Sequence, residues 1–133
     1  MTLFETLVAV AILGLISALA FPALHRSTDA LALEAAAMTL ATELTNARAA
    51  ALRSGSGVRF DPTPDADGYG WRAGAGGGWG RRVTLPTGVR IAMTPGAVGF
   101  YPDGSSTGAR LALQAGQSRR TVEVDVATGL VAR

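Results

Sequence analysis

Met1-Thr-Leu-Phe-Glu-Thr-Leu-Val-Ala-Val-Ala-Ile-Leu-Gly-Leu-Ile-Ser-Ala-Leu-Ala-Phe-Pro-Ala-Leu24 opens the chain, and from Thr6 to Leu24 it carries no charge. At 1.5 Å per helical residue such a run spans about 28 Å, close to the hydrocarbon thickness of a bilayer. Glu5 stands at its head, where basic residues more often flank a membrane segment. An acid at the centre of a membrane helix costs about 2.5–3.5 kcal/mol, and less near the interface, so Glu5 is a functional-site candidate. Two plainer readings compete. Ala18-Leu19-Ala20 suits a cleavable signal, but an acid and no base precedes the run, which is also long for a signal peptide. An ordinary anchor that merely tolerates Glu5 at its surface is the other.

Outward from this stretch, helical pattern continues to Arg53. Pro22 predicts a kink, which membrane helices tolerate when neighbours re-satisfy the freed carbonyl. His25 and Arg26 read as an interfacial collar whose polar heads reach water. From Thr28 onward strong helix formers dominate, and Leu33, Ala37, Leu40, Leu44, Ala47 and Ala51 recur at spacings of three and four. Gly55 supplies the stop. So alanine-rich a stripe requires a closely approaching partner. A sheet of the same domain is favoured over an intermolecular coiled coil.

The period then changes to two. Alternation marks strands at residues 57–61, 83–85, 89–93, 98–101, 109–114 and 121–126, separated by turn chemistry at 62–68, 86–88, 102–104 and 127–129. Of the 17 glycines all but Gly14 fall after residue 54, as turns between strands demand. Residues 73–78, Ala-Gly-Ala-Gly-Gly-Gly, form a loop flanked by Trp71 and Trp79. The expected architecture is α+β. A long N-terminal helix, half transmembrane (1–24) and half amphipathic (25–55), packs on a small antiparallel two-sheet β domain (56–133).

The whole chain of 133 residues is enough for one anchor and one domain. It has no cysteine, which excludes a disulfide scaffold and thiolate metal sites. Every cation is arginine, and the net charge of +2 does not announce a nucleic-acid binder.

Thr2-Leu3-Phe4-Glu5 at the head of a long apolar helix resembles the mature N-terminus of type IV pilins and type II secretion pseudopilins, with Met1 where Phe is commoner. The second half narrows the likeness. Phe100-Tyr-Pro-Asp-Gly-Ser-Ser-Thr-Gly108, Val124-Asp-Val-Ala-Thr-Gly129, the helix end Ala47–Arg53 and Leu85-Pro-Thr-Gly-Val89 are similar to GspH/FimT-type minor pseudopilins. Residues 60–81 match least. The resemblance implies cleavage just before Met1 by a prepilin peptidase, N-methylation of the new amine, and pairing of Glu5 with the amine of a neighbouring subunit. It implies a structural subunit of the pseudopilus with no enzymatic role, anchored by a single pass in the bacterial inner membrane. Its C-terminal domain would lie in the periplasm, and it would join other major and minor pseudopilins at the filament tip to help export folded proteins across the outer membrane. The alternative is a minor pilin of a type IV pilus or competence system that contacts DNA through Arg81, Arg82, Arg119, Arg120 and Arg133. On an almost neutral chain those arginines are more simply solvated or paired with acids.

Gly14 and Ala18, four residues apart, permit close helix approach and join Glu5 as assembly candidates. The turn Pro102, Asp103, Gly104, Ser105, Ser106, Thr107 and Gly108, with the 73–78 loop, is the candidate for partner contacts. Gly104-Ser-Ser-Thr-Gly108 formally fits G-x-S-x-G, but that elbow needs a helix next, and a strand pattern follows. Asp61, Asp65, Asp67 and Gly68 fail the spacing of a calcium loop. No catalytic residue, cofactor or metal site is expected.

Overall fold

A computed structural model describes residues 2–74 and 80–133, with the side chains of 22–27 left aside. The expected amine of Met1, the Pro22 kink, the His25–Arg26 collar, Trp79 and most of the 73–78 loop therefore lie outside the described residues.

A single helix, α1 (Leu3–Ser54), takes up the first 52-residue stretch. It ends where Gly55 adopts a left-handed conformation (φ 62°) and donates its N–H back to the Ala51 carbonyl, as the sequence predicts. Leu33, Ala37, Leu40, Leu44, Ala47 and Ala51 are all buried, so the stripe is the helix's seat on its own sheets. Ala36 widens it. The small side chains let the backbone of α1 lie close to β-sheet residues such as Phe60, Phe100, Leu111, Leu113 and Val122, which are fully buried with it.

Eight strands follow among the described residues: β1 (Val58–Pro62), β2 (Gly68–Ala73), β3 (Arg81–Thr84), β4 (Val89–Thr94), β5 (Val98–Phe100), β6 (Ala109–Ala115), β7 (Ser118–Val124) and β8 (Val131–Ala132). They form two four-stranded sheets with orders β3-β2-β1-β5 and β4-β6-β7-β8, every pair antiparallel. Two strands differ from expectation. β2 lies in a segment whose glycines weaken strand propensity; Gly68 is there because a Cβ would come within 2.5 Å of the Val83 carbonyl on β3. β8 is too short to show a period. β7 also starts three residues earlier than alternation suggests, because Ser118, Arg119 and Arg120 put no apolar side chain inward before Val122.

Candidate functional site

The apolar head begins with a cap. Thr2 is extended (φ −90°, ψ 153°), and its hydroxyl and carbonyl oxygens both accept from the Glu5 N–H, at 3.3 and 3.1 Å. Glu5 thus occupies the third helical position after the cap, in the first turn, where the helix dipole favours an anion. This local role for Thr2 and Glu5 was legible in the Thr-x-x-Glu spacing and was missed in reading the sequence. From Leu3 to Phe21 the helix has a mean hydropathy of 2.3, and no part of it is buried. Thr6 and Ser17 return their hydroxyls to the carbonyls of Leu3 and Leu13, both at 2.8 Å, so neither needs water. At Gly14 an added Cβ would meet nothing within 4 Å, and Ala18 is exposed.

At the far end of the molecule the 102–108 turn is bound to its neighbours. Gly104, Ser106 and Gly108 are buried, whereas Pro102, Asp103 and Thr107 face outward and Ser105 is half-buried. Ser106 donates its hydroxyl to the Asp125 carbonyl (2.8 Å) and accepts from the Gly108 N–H (2.9 Å), and β6, not a helix, follows. Its hydroxyl fastens the turn to the end of β7. Asp103 accepts from the Ser105 hydroxyl (2.6 Å) and N–H (2.9 Å), which hold its carboxyl below the ordinary value. Asp125 does the same with the N–H and hydroxyl of Thr128, both at 2.8 Å. Arg48, reaching from α1, donates Nε to the Gly104 carbonyl (3.2 Å). A Cβ at Gly129 would sit 2.4 Å from that same carbonyl oxygen and 3.0 Å from Arg48 Nε. Helix end and two turns therefore meet at one point.

Glu43 is a second tie the sequence reading passed over. It is buried on α1, pairs with Arg81 Nε at 3.0 Å and accepts from Trp71 Nε1 at 3.4 Å, fastening β2 and β3 to the helix. Burial, then the Glu43 charge, pushes the neighbouring Tyr69 hydroxyl up to about 12. The clue to both ties was placement. Arg48 is the one cation between Arg26 and Arg53, and Glu43 borders the apolar stripe.

Several other acids have partners of their own. Asp61 accepts from Arg59 (2.7 Å) and Arg72 (3.0 Å), Asp67 from the Thr63 hydroxyl (2.6 Å), and Glu34 from Arg120 (2.9 Å). Among the described residues no group of three His, Asp or Glu side chains is gathered to hold a metal.

The family model described as type II transport protein GspH matches residues 36–129. The chain belongs to the GspH family. It is a pseudopilin by that membership, and the matched region covers the buried stripe from Ala37 onward, Glu43, Arg48 and both turns. A GspH-family relative, the type II secretion system protein H of Xanthomonas campestris pv. campestris, is 31% identical over 142 residues, which takes in 98% of this chain and 79% of the relative. Two solved structures share the fold. The type IV minor pilin FimU of Pseudomonas aeruginosa has a TM-score of 0.65 at 16% identity, over 75% of this chain and 86% of FimU. The minor pseudopilin EpsH from the type 2 secretion system of Vibrio cholerae has a TM-score of 0.62 at 16% identity, over 75% of this chain and 94% of EpsH. The GspH-type chain therefore has the pilin-like α+β architecture expected of it.

Proposed function

We propose that this GspH-family chain is a minor pseudopilin of the filament tip, where it starts a short pseudopilus that drives folded proteins through an outer-membrane channel. Residues 3–21 hold it in the inner membrane with the β domain in the periplasm. A prepilin peptidase cuts before Met1 and methylates its amine. Glu5 neutralises the amine of an adjoining subunit, since an unpaired carboxylate would resist burial between helices. Gly14 and Ala18 permit that close approach, and Pro102, Asp103 and Thr107 offer the outward face of a turn to other pseudopilins.

The observation that carries this reading is the head of α1. It is apolar on every side and unburied, and it has an acid at its tip. Gly14 sharpens it. Glycine in a helix costs about 1 kcal/mol relative to alanine, yet none of the described residues packs within 4 Å of where its Cβ would be. That absence suits another molecule. The competing reading, a pilin that contacts DNA, draws less support, because Arg81 and Arg120 already face Glu43 and Glu34.

The test is replacement of Glu5 by Gln and by Leu in the full-length chain. Both variants are expected to reach the membrane, and both are expected to lose filament assembly and secretion. Normal secretion with both would remove the role given to the carboxylate.

A further inference from the structure

Among the described residues one buried side-chain oxygen reaches no hydrogen-bond partner, the hydroxyl of Tyr69. Tyr69 is 1% exposed and its ring stacks on Phe60, with centroids 5.2 Å apart. A buried donor left unmade costs free energy, and phenylalanine would fill the same space without that cost. The hydroxyl keeps its proton, because burial, and then the charge of Glu43, raises its pKa to about 12. It is therefore a neutral donor with a carboxylate nearby.

That carboxylate is the tie between α1 and the first sheet. Glu43 takes Arg81 Nε at 3.0 Å and Trp71 Nε1 at 3.4 Å. The Glu43 side chain is 6% exposed, whereas that of Arg81 is 61% exposed. Arg81 opens β3, the strand at the margin of its sheet, in which only Val83 is even half-buried. A short marginal strand with so little burial is the kind of segment that opens locally while the rest of a domain stays folded. The obstacle is Glu43. Removing the cation from a buried pair strands the carboxylate, and the Trp71 N–H is too distant to replace it alone.

We infer that Tyr69 is the standby partner of Glu43. When β3 lifts and Arg81 leaves, the Tyr69 hydroxyl donates to the carboxylate, so the strand opens as a strap without stranding a buried charge. The register allows it. Tyr69 and Trp71 lie two residues apart on the same face of β2, opposite Val83 and Arg81. Trp71 already touches Glu43, so Tyr69 stands one step further along that face, and a glutamate released from Arg81 has only to turn towards it. Arg81 and Tyr69 are diagonal neighbours across the two strands, a separation that long and aromatic side chains bridge. The closed strap uses the arginine and the open strap uses the tyrosine. A hydroxyl without a purpose in the closed fold thereby gains one in the open fold.

The test uses the full-length chain in detergent micelles. Hydrogen exchange is read at the Val83 amide on β3 and, as a control, at the Leu113 amide on β6. Tyr69→Phe removes the hydroxyl and keeps the ring. It is expected to leave the melting temperature unchanged, since no bond of the closed strap is lost. It is also expected to slow exchange at Val83 about tenfold or more, because the open strap loses a hydrogen bond to a charged group, while Leu113 keeps its rate. Arg81→Ala imitates the opened tie. With Tyr69 present it is expected to lower the melting temperature modestly, and together with Tyr69→Phe by much more than the two changes add up to. Equal Val83 exchange with and without the hydroxyl overturns the inference, as does plain additivity of the two substitutions. A fall in melting temperature from Tyr69→Phe alone overturns it too, because the hydroxyl would then already serve the closed state.

Discussion

Two glycines show how differently one residue type can be used. Gly55 ends α1 with a positive φ, and a Cβ there would touch nothing. Gly55→Ala is expected to cost about 1 kcal/mol, the price of an alanine in that conformation. Gly129 has a positive φ too, but its missing Cβ makes room for the Gly104 carbonyl and Arg48. Gly129→Ala adds a backbone clash, and about 3 kcal/mol is expected. For a domain of this size each kcal/mol shifts Tm by roughly 4–8 °C, so thermal melts should separate the two variants plainly. Asp125 allows a pH test of the same clasp. Its carboxyl is held below the ordinary 3.8 by the Thr128 N–H and then by its hydroxyl. A depressed value in the fold means that the stabilisation is complete above the unfolded value and fades as pH falls through the folded one. Asp125→Asn should therefore lower Tm near neutrality and flatten its acid limb, the two proteins converging once the Asp125 carboxyl is protonated. A constant difference down to the lowest pH would show that the hydrogen bonds, not the charge, matter.

The elements are governed by the buried stripe of α1. Leu44 is fully buried between helix and sheets, and Leu44→Ala is expected to cost about 2–5 kcal/mol in a urea titration, depending on how far the site collapses. That stripe, the Gly55 stop and most strands were legible because periods of 3.6 and 2 are direct imprints of burial. β2 was hidden because Gly68 answers to the closeness of β3 and not to strand propensity. The candidate site was half legible. A carboxylate at the head of an apolar run stands out without any fold, whereas the inward turn of Ser106 and the reach of Arg48 to Gly104 depend on segments 19 and 56 residues apart in the chain. Such pairings leave no local trace.

Across the whole molecule the apolar head and the packed domain make separate demands. Residues 3–21 bury nothing within the chain. Removing everything before Thr28 is therefore expected to leave the Tm within a few degrees of the full-length value, about the spread of one small contact. The same truncation should release the protein from the membrane fraction and end assembly. A large fall in Tm would mean that the head supports the domain as well. The layout also has a mechanical side. Tension arriving along α1 would run parallel to the contacts from Leu33 to Ala51, loading them as a lap joint is loaded, all at once, and not peeling them apart singly. A subunit drawn by its anchor should on that account slip out of lipid before its domain tears.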